Sequence, residues 1–476
     1  MIADLKPYSA IKNSGVPWLG AVPAHWDVRR GKWLFRHRKQ INAARASSNV
    51  LSLTLRGVVN NDPDNPEGLV PKDYATYQLF RKGDLVFKLI DLENLRTSRV
   101  GLVHEDGIMS SAYIRLAPSS AGDIRFFFQQ YFDLYQRGIY NQLGAGVRST
   151  LGPSDLLDLS VVVPPVPEQV AIVRFLNHAD RRIRHCIHAK HNLIKLLQEQ
   201  KQAIIHRAVT RGLDPNVRLK PSGVEWLGEI PAHWEVARLK VIAPMIVDCL
   251  HATPVYSKSG EYPAIRTADV QPGRLLLDST RRVDEEHYRR WTTKMSPAEG
   301  DILYTREGER FGIAALVPAD VRLCISQRMM AFRIHHANNS AYVMWQINCR
   351  HVYAQAAADL IGAAAPHVNV GRIKNLWLTL PPKREQHEIV AAIDQASMRP
   401  NRAIDRARRE ISLLREYRTR LIADVVTGKL DVRAAAANLP DEADELDVPD
   451  DSEALAEGEE DIADGDLDAA PEEAET

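Results

Sequence analysis

The chain has 476 residues, 45% of them hydrophobic and 26% charged, which is long enough for more than one core. No run approaches the roughly 18 apolar residues of a membrane span, the opening MIADLKPYSA shows no secretory leader, and Cys186, Cys249, Cys324 and Cys349 form no CxxC pair, so a membrane protein, a disulfide scaffold and a zinc ribbon are excluded and the cytoplasm is expected. The formal net charge of +0 hides an asymmetry: Asn438–Thr476 carries 18 Asp and Glu and no Lys or Arg, leaving 61 basic against 43 acidic residues elsewhere, a balance of +18.

Such a body can bind a polyanion, although its positive charge is spread evenly and marks no single site. The C-terminal segment, taken as residues 431–476, reads as a solvated, disordered tail; the competing reading is a mimic of DNA that occupies the basic body.

In chain order, the first landmark is SGVPWLGAVPAHW at 14–26. DLVFKLI (Asp84–Ile90) and IMSSAYIRL (Ile108–Leu116) then alternate as strands, and FFFQQYFDLYQRG at 126–138 reads as a helix. VVVPPVPEQVAIV at 161–173 leads into a long amphipathic run, with Ile172, Leu176, Ala179, Ile183, Cys186, Leu193, Leu197 and Ile204 at 3/4/7 spacing. Over about 40 residues this is a helix of roughly 60 Å. The sequence then begins again. SGVEWLGEIPAHW at 222–234 matches the first landmark at 10 of 13 positions, 208 residues on. DILYT, IAALV and LCISQRMMAFRI read as strands and YVMWQINCRHVYAQAA at 342–357 as a helix. LTLPPKREQHEIV at 378–390 opens a second long helix, with Ile389, Ile393, Ala396, Ala407, Ile411, Leu414, Leu421 and Val425 as its apolar seam. Prolines just ahead of both runs suit helix starts, whereas Pro400 falls inside the second and predicts a kink.

A period above 200 residues is too long for a solenoid, so the chain is a duplicated unit of domain plus helix. The fold expected is α+β: two mixed α/β globular domains, or heads, at 1–163 and 214–380, long helices at 164–213 and 381–430, and the tail. The two helices bury their seams against each other as an antiparallel coiled coil. Two heads on a fixed spacer suit a long, regular ligand such as duplex DNA read at two half-sites.

The repeated SGVxWLGxxPAHW, the Gly-Asp strand starts (Gly83-Asp84, Gly300-Asp301), the PPxxEQ helix openings, and the helix exits AVTRGL (Ala208–Leu213) and VTGKLDV (Val426–Val432) resemble the specificity subunits of type I restriction–modification enzymes. The resemblance covers about residues 10–433. It implies that each head reads one half of a split, asymmetric target in double-stranded DNA and that the helices fix the gap. It also implies that two methyltransferase subunits, and through them the restriction subunits, assemble on the chain. S-adenosylmethionine, ATP and Mg would then serve those partners, with no cofactor here.

No motif for chemistry appears. There is no Gly-rich loop followed by Lys-Ser/Thr and no Asn-Pro-Pro-aromatic methyltransferase motif. Glu199-Gln200-Lys201 reads as a solvated helix face, Gly144-Ala145-Gly146 as a turn, and the His residues at 178, 185, 188 and 191 lack the spacing and carboxylate of a metal site. The PAHW segments read as structural clasps rather than base-stacking platforms. Base readers are expected on loops and strand ends. In the first head these are Lys88, Arg96, Arg99, Arg148 and Ser149, and in the second Arg306, Arg310, Gln327, Arg328, His367 and Asn369. The rival readings are a protein-binding coiled-coil scaffold, which predicts no sequence-dependent DNA binding, and a self-sufficient restriction or methylation enzyme, which needs a catalytic site.

Overall fold

The landmarks that recur in the sequence recur as structure. The computed structural model describes residues 5–54, 57–62, 65, 71, 73–89, 99–143, 150–308, 310–358 and 368–440. They form two compact units, 5–190 with 408–440, and 191–407, so each unit takes one head and one half of each long helix.

In the first unit a ribbon of Ile11–Asn13 against Ala21–Pro23 precedes the head. The head is built on a four-stranded antiparallel sheet in the order Phe35–His37, Ile114–Pro118, Leu85–Lys88, Arg99–Leu102. Helix Ile124–Gln136, capped by the Asp123 side chain, buries Phe126, Phe127, Tyr131 and Leu134. Asp27–Arg30 pairs with Ser160–Val163, which hands the chain to the first long helix, Val166–Arg211. The second unit repeats this plan. A ribbon of Leu219–Pro221 against Glu229–Pro231 comes first, followed by a sheet in the order Met245–Asp248, Met329–Arg333, Ile302–Thr305, Ala314–Leu316. Glu235–Arg238 pairs with Trp377–Leu380 ahead of the second long helix, Lys383–Val426. Beyond this shared frame the heads diverge: the first adds the hairpin Leu51–Thr54/Gly57–Asn60, and the second adds Tyr262–Ile265 parallel to Cys324–Ile325 and helix Glu285–Trp291.

Within each unit the long helices run antiparallel. In the first, Asp180 meets Arg418 and Lys190 meets Glu410. In the second, Lys201 Nζ donates to Asn401 Oδ1 at 3.1 Å. The buried seam departs from the predicted one. Along the first helix it runs Ile172, Leu176, Ala179, Ile183, Ile187, Ile194, Ile205, while Cys186 and Leu193 are exposed. A straight helix at 3.6 residues per turn drifts away from a strict heptad, so positions extrapolated from Ile183 fall one residue behind the buried face. Along the second helix Ala396 is exposed and Ser397 is buried in its place. Pro400 lies inside one uninterrupted helix and on its buried face, four residues before Ile404, where its ring serves as an apolar seam residue.

Two further expectations are corrected. The segment expected to be tail from residue 431 is packed as far as Leu439: Val432, Ala436 and Leu439 are buried, and helix Arg433–Ala437 lies between them. Their apolar side chains precede the acidic run, which lies outside the described residues. The helix expected over 342–357 is two helices, Ser340–Ile347 and Arg350–Ala357. At the break the Asn348 amide accepts from Ala314 N at 2.9 Å and donates to Ala314 O at 2.8 Å, completing the edge of the sheet.

Candidate nucleic-acid interface

Four sets of polar side chains, each present twice, hold the frame of the heads. Glu168, the acid of the first PPxxEQ, accepts from Trp26 Nε1 at 3.0 Å, lies 2.8 Å from His25 Nε2 and takes the Tyr8 hydroxyl. Glu385 accepts from Trp234 Nε1 at 3.0 Å and lies 2.8 Å from His233 Nε2. Burial, together with the Glu168 carboxylate, pushes the Tyr8 pKa far above the ordinary phenol value. The PAHW segments are therefore clasps on the long-helix starts. The neighbouring glutamines act similarly. Gln169 accepts from Asp123 N at 2.8 Å and donates to Pro164 O, and Gln386 accepts from Asn339 N at 2.7 Å and donates to Pro381 O.

The Gly-Asp motif has the third role. Asp84 accepts from Arg81 N at 2.7 Å and pairs with Arg115 at 2.6 Å; Asp301 accepts from Ala298 N at 2.7 Å and pairs with Arg333 at 2.7 Å. Burial raises the Asp84 pKa, with the Arg81 amide and Arg115 opposing it. Fourth, the buried Gln130 side chain bonds both ways to Val162, and Gln346 likewise to Thr379. Sequence reasoning found the motifs but missed Gln130, Gln346, Arg115 and Arg333, whose signal was only their recurrence 216 to 218 positions apart.

Among the described residues, parts of the predicted base-reading segments meet at one end of each sheet. In the second head Arg306 N donates to Arg328 O at 2.9 Å, and Val368 N lies 3.4 Å from Arg306 O. The end of strand Ile302–Thr305, the turn at Gln327–Arg328 and the segment entering Asn369 therefore meet. In the first head Leu151 N donates to Leu89 O at 3.3 Å, joining the corresponding segments beyond Lys88.

Individually the candidates differ. Lys88 ends its strand half-buried, in register opposite Arg99. Arg306 is 7% exposed, and its guanidinium is taken by Asp248 at 2.8 Å and by Glu307. Arg310 donates to Val270 O at 3.1 Å. Gln327 and Arg328 are half-buried in a turn where Arg328 has φ +67°, a conformation costly outside glycine. Asn369 is exposed and caps helix Val370–Lys374 by accepting from Gly371 N at 2.7 Å. Arg96, Arg148, Ser149 and His367 lie outside the described residues.

No helix among the described residues is long and apolar enough to cross a membrane. Comparison with known proteins agrees with the duplicated frame. The family described as the type I restriction modification DNA specificity domain matches residues 56–196 and again 231–403, together well over half of the chain. In Methanocaldococcus jannaschii, the type I restriction enzyme MjaVIII specificity subunit is 19% identical over 281 residues, 58% of this chain and 63% of that protein, so just under two thirds of that relative is spanned. The putative type I restriction enzyme MjaX specificity subunit of the same organism is 20% identical over 444 residues, 87% of this chain and 96% of that protein. A chain from a solved structure concerned with complex assembly and conformational transition of the type I R-M system superposes with a TM-score of 0.56 at 15% identity, covering 86% of this chain and 99% of that one, which shows a shared fold. With two matched specificity domains on one repeated frame, the chain belongs to the type I restriction–modification DNA specificity family.

Proposed function

We propose that this chain is the DNA-reading subunit of a type I restriction–modification assembly and that each head reads one half of a split, asymmetric target. The observation that carries this reading is the contrast within the repeat. The main contacts of the frame are duplicated, while the sheet ends it supports carry different residues: Lys88-Leu89 corresponds to Thr305-Arg306, and by strand register Ser111-Ala112 corresponds to Gln327-Arg328. Identical heads would read a symmetric site, whereas a fixed frame with divergent tips suits two unlike half-sites.

On this reading the long helices recruit two methyltransferase subunits and, through them, restriction subunits. Methyl transfer and cleavage, with their S-adenosylmethionine, ATP and Mg, belong to those partners, and the chain acts in the cytoplasm, where the genome is.

Adenine methylation mapped across the genome tests it, with and without the gene and with the partner methyltransferase expressed in both. Loss of the chain should erase methylation at one split motif, and exchanging residues 14–163 for another family member's head should alter one half of that motif. Unchanged methylation in both experiments would leave the protein-scaffold reading in its place.

A further inference from the structure

The last turns of the first long helix meet the second head at a group of side chains that the frame does not use. His206 comes from the helix, Cys349 from the boundary of helix Arg350–Ala357, and His351 from the first turn of that helix. One donor atom from each lies within 4.8 Å of the other two. Cys349 is 1% exposed. Both ring nitrogens of His351 are buried with no hydrogen-bond partner, and its ring faces that of His206 with centroids 5.6 Å apart. Buried polar atoms are nearly always satisfied, so two orphaned nitrogens on one ring point to a partner that the polypeptide does not supply.

The chemistry of the donor set selects the ligand. Two imidazoles and a thiol, with no carboxylate in the group, do not suit Mg or Ca, which take oxygen ligands. They suit a borderline-soft divalent cation in tetrahedral coordination. The thiolate, not the thiol, is the metal ligand, so Cys349 would bind deprotonated. We propose that His206, Cys349 and His351 form a site for Zn2+ with two nitrogen ligands and one sulfur, completed by a water molecule, which pins the end of the first long helix to the second head. On binding, the Cys349 thiol releases its proton to solvent as the metal–sulfur bond forms, and nothing is oxidised or reduced. Side-chain rotations would bring the donors to Zn–N distances of about 2.0 Å and a Zn–S distance of about 2.3 Å. The site escaped sequence reading because His206 lies 143 residues from Cys349.

The test uses the untagged full chain, stripped with a chelator and titrated with Co2+ and then Zn2+. One equivalent of Co2+ should give the visible bands of a tetrahedral site together with a thiolate-to-metal charge-transfer band, and Zn2+ should abolish both. The bands should be lost in His206→Ala and Cys349→Ala and kept in Cys186→Ala. His206 is exposed, so His206→Ala keeps the fold, which circular dichroism verifies, even if Cys349→Ala does not. Absence of the charge-transfer band in the wild type, its survival in His206→Ala or Cys349→Ala, or its loss in Cys186→Ala would overturn the site.

Discussion

Trp26 donates its indole N–H to Glu168 across 142 residues, and Trp234 does the same to Glu385 across 151, both at 3.0 Å. The two clasps differ in their surroundings. Glu168 is 5% exposed and also takes Tyr8, while the Glu385 side chain is 24% exposed. A carboxylate bonded to buried donors is costly to delete because the donors lose their acceptor.

Glu168→Ala should therefore destabilise the first unit by about 3 kcal/mol and Glu385→Ala the second by roughly half of that. Hydrogen exchange resolved by segment checks both the magnitude and the location. Equal losses would show that the Tyr8 contact and the deeper burial contribute nothing.

Pro400 gives a prediction of opposite sign. A proline inside a helix costs roughly 3 kcal/mol relative to alanine, and its buried ring returns only about 1 kcal/mol of apolar packing. Pro400→Ala should stabilise the second unit by about 1–2 kcal/mol, read as slower exchange at amides 396–404.

The cysteines should separate cleanly by reactivity. Cys186 is exposed, whereas Cys249, Cys324 and Cys349 are buried. Burial raises the Cys249 pKa and pushes those of Cys324 and Cys349 up to about 12. The thiolate is the nucleophile, so raised pKa values keep these three unreactive as pH climbs, until the alkaline end of the range. A chromogenic disulfide reagent at pH 8 should titrate one thiol per native chain and all 4 after denaturation.

Among the candidate readers, Arg306 and Arg328 should behave differently. Removing Arg306 leaves Asp248 and Glu307 without their guanidinium, so Arg306→Ala should lower stability as well as binding. Arg328→Ala should keep the fold and relax recognition at one position of one half-site, by about 1–3 kcal/mol if it contacts a base edge. Thermal melting and the methylated motif, measured for both variants, distinguish the two cases.

The frame was legible in the sequence because its residues recur. Trp26, Glu168, Asp84 and their counterparts must satisfy the same buried partners twice, so their types and spacing are held. The reading edge was not legible for the same reason. By strand register Gln327 stands opposite Ser111, and Asn369 stands opposite Gly152, so no recurrence of residue type marks them and their candidacy rested on residue type and on a place in loops or at strand ends. The helix seams were half legible: periodicity located Ile172–Ile183 and Ala407–Val425, but drift misplaced Cys186 and Leu193, and Pro400 hid its packing role behind its backbone effect. The break at Asn348 was invisible because it depends on a strand 34 residues away.

Each long helix ends at a left-handed glycine seated on a PAHW segment. Gly212, φ +72°, lies on Trp234, and Gly428, φ +76°, lies against Pro23 and Trp26, where any β-carbon would clash. The first of these junctions is continued by the chain itself, while the second is made without a peptide link, with Asp431 N bonded to Lys6 O at 2.8 Å and Arg433 over the Tyr8 ring. The two junctions are therefore of one kind, and only the first has a continuous backbone across it. A permuted gene, opened between Gly212 and Leu219 with residue 440 fused to residue 5, would encode the same set of junctions with its beginning and end exchanged for the middle.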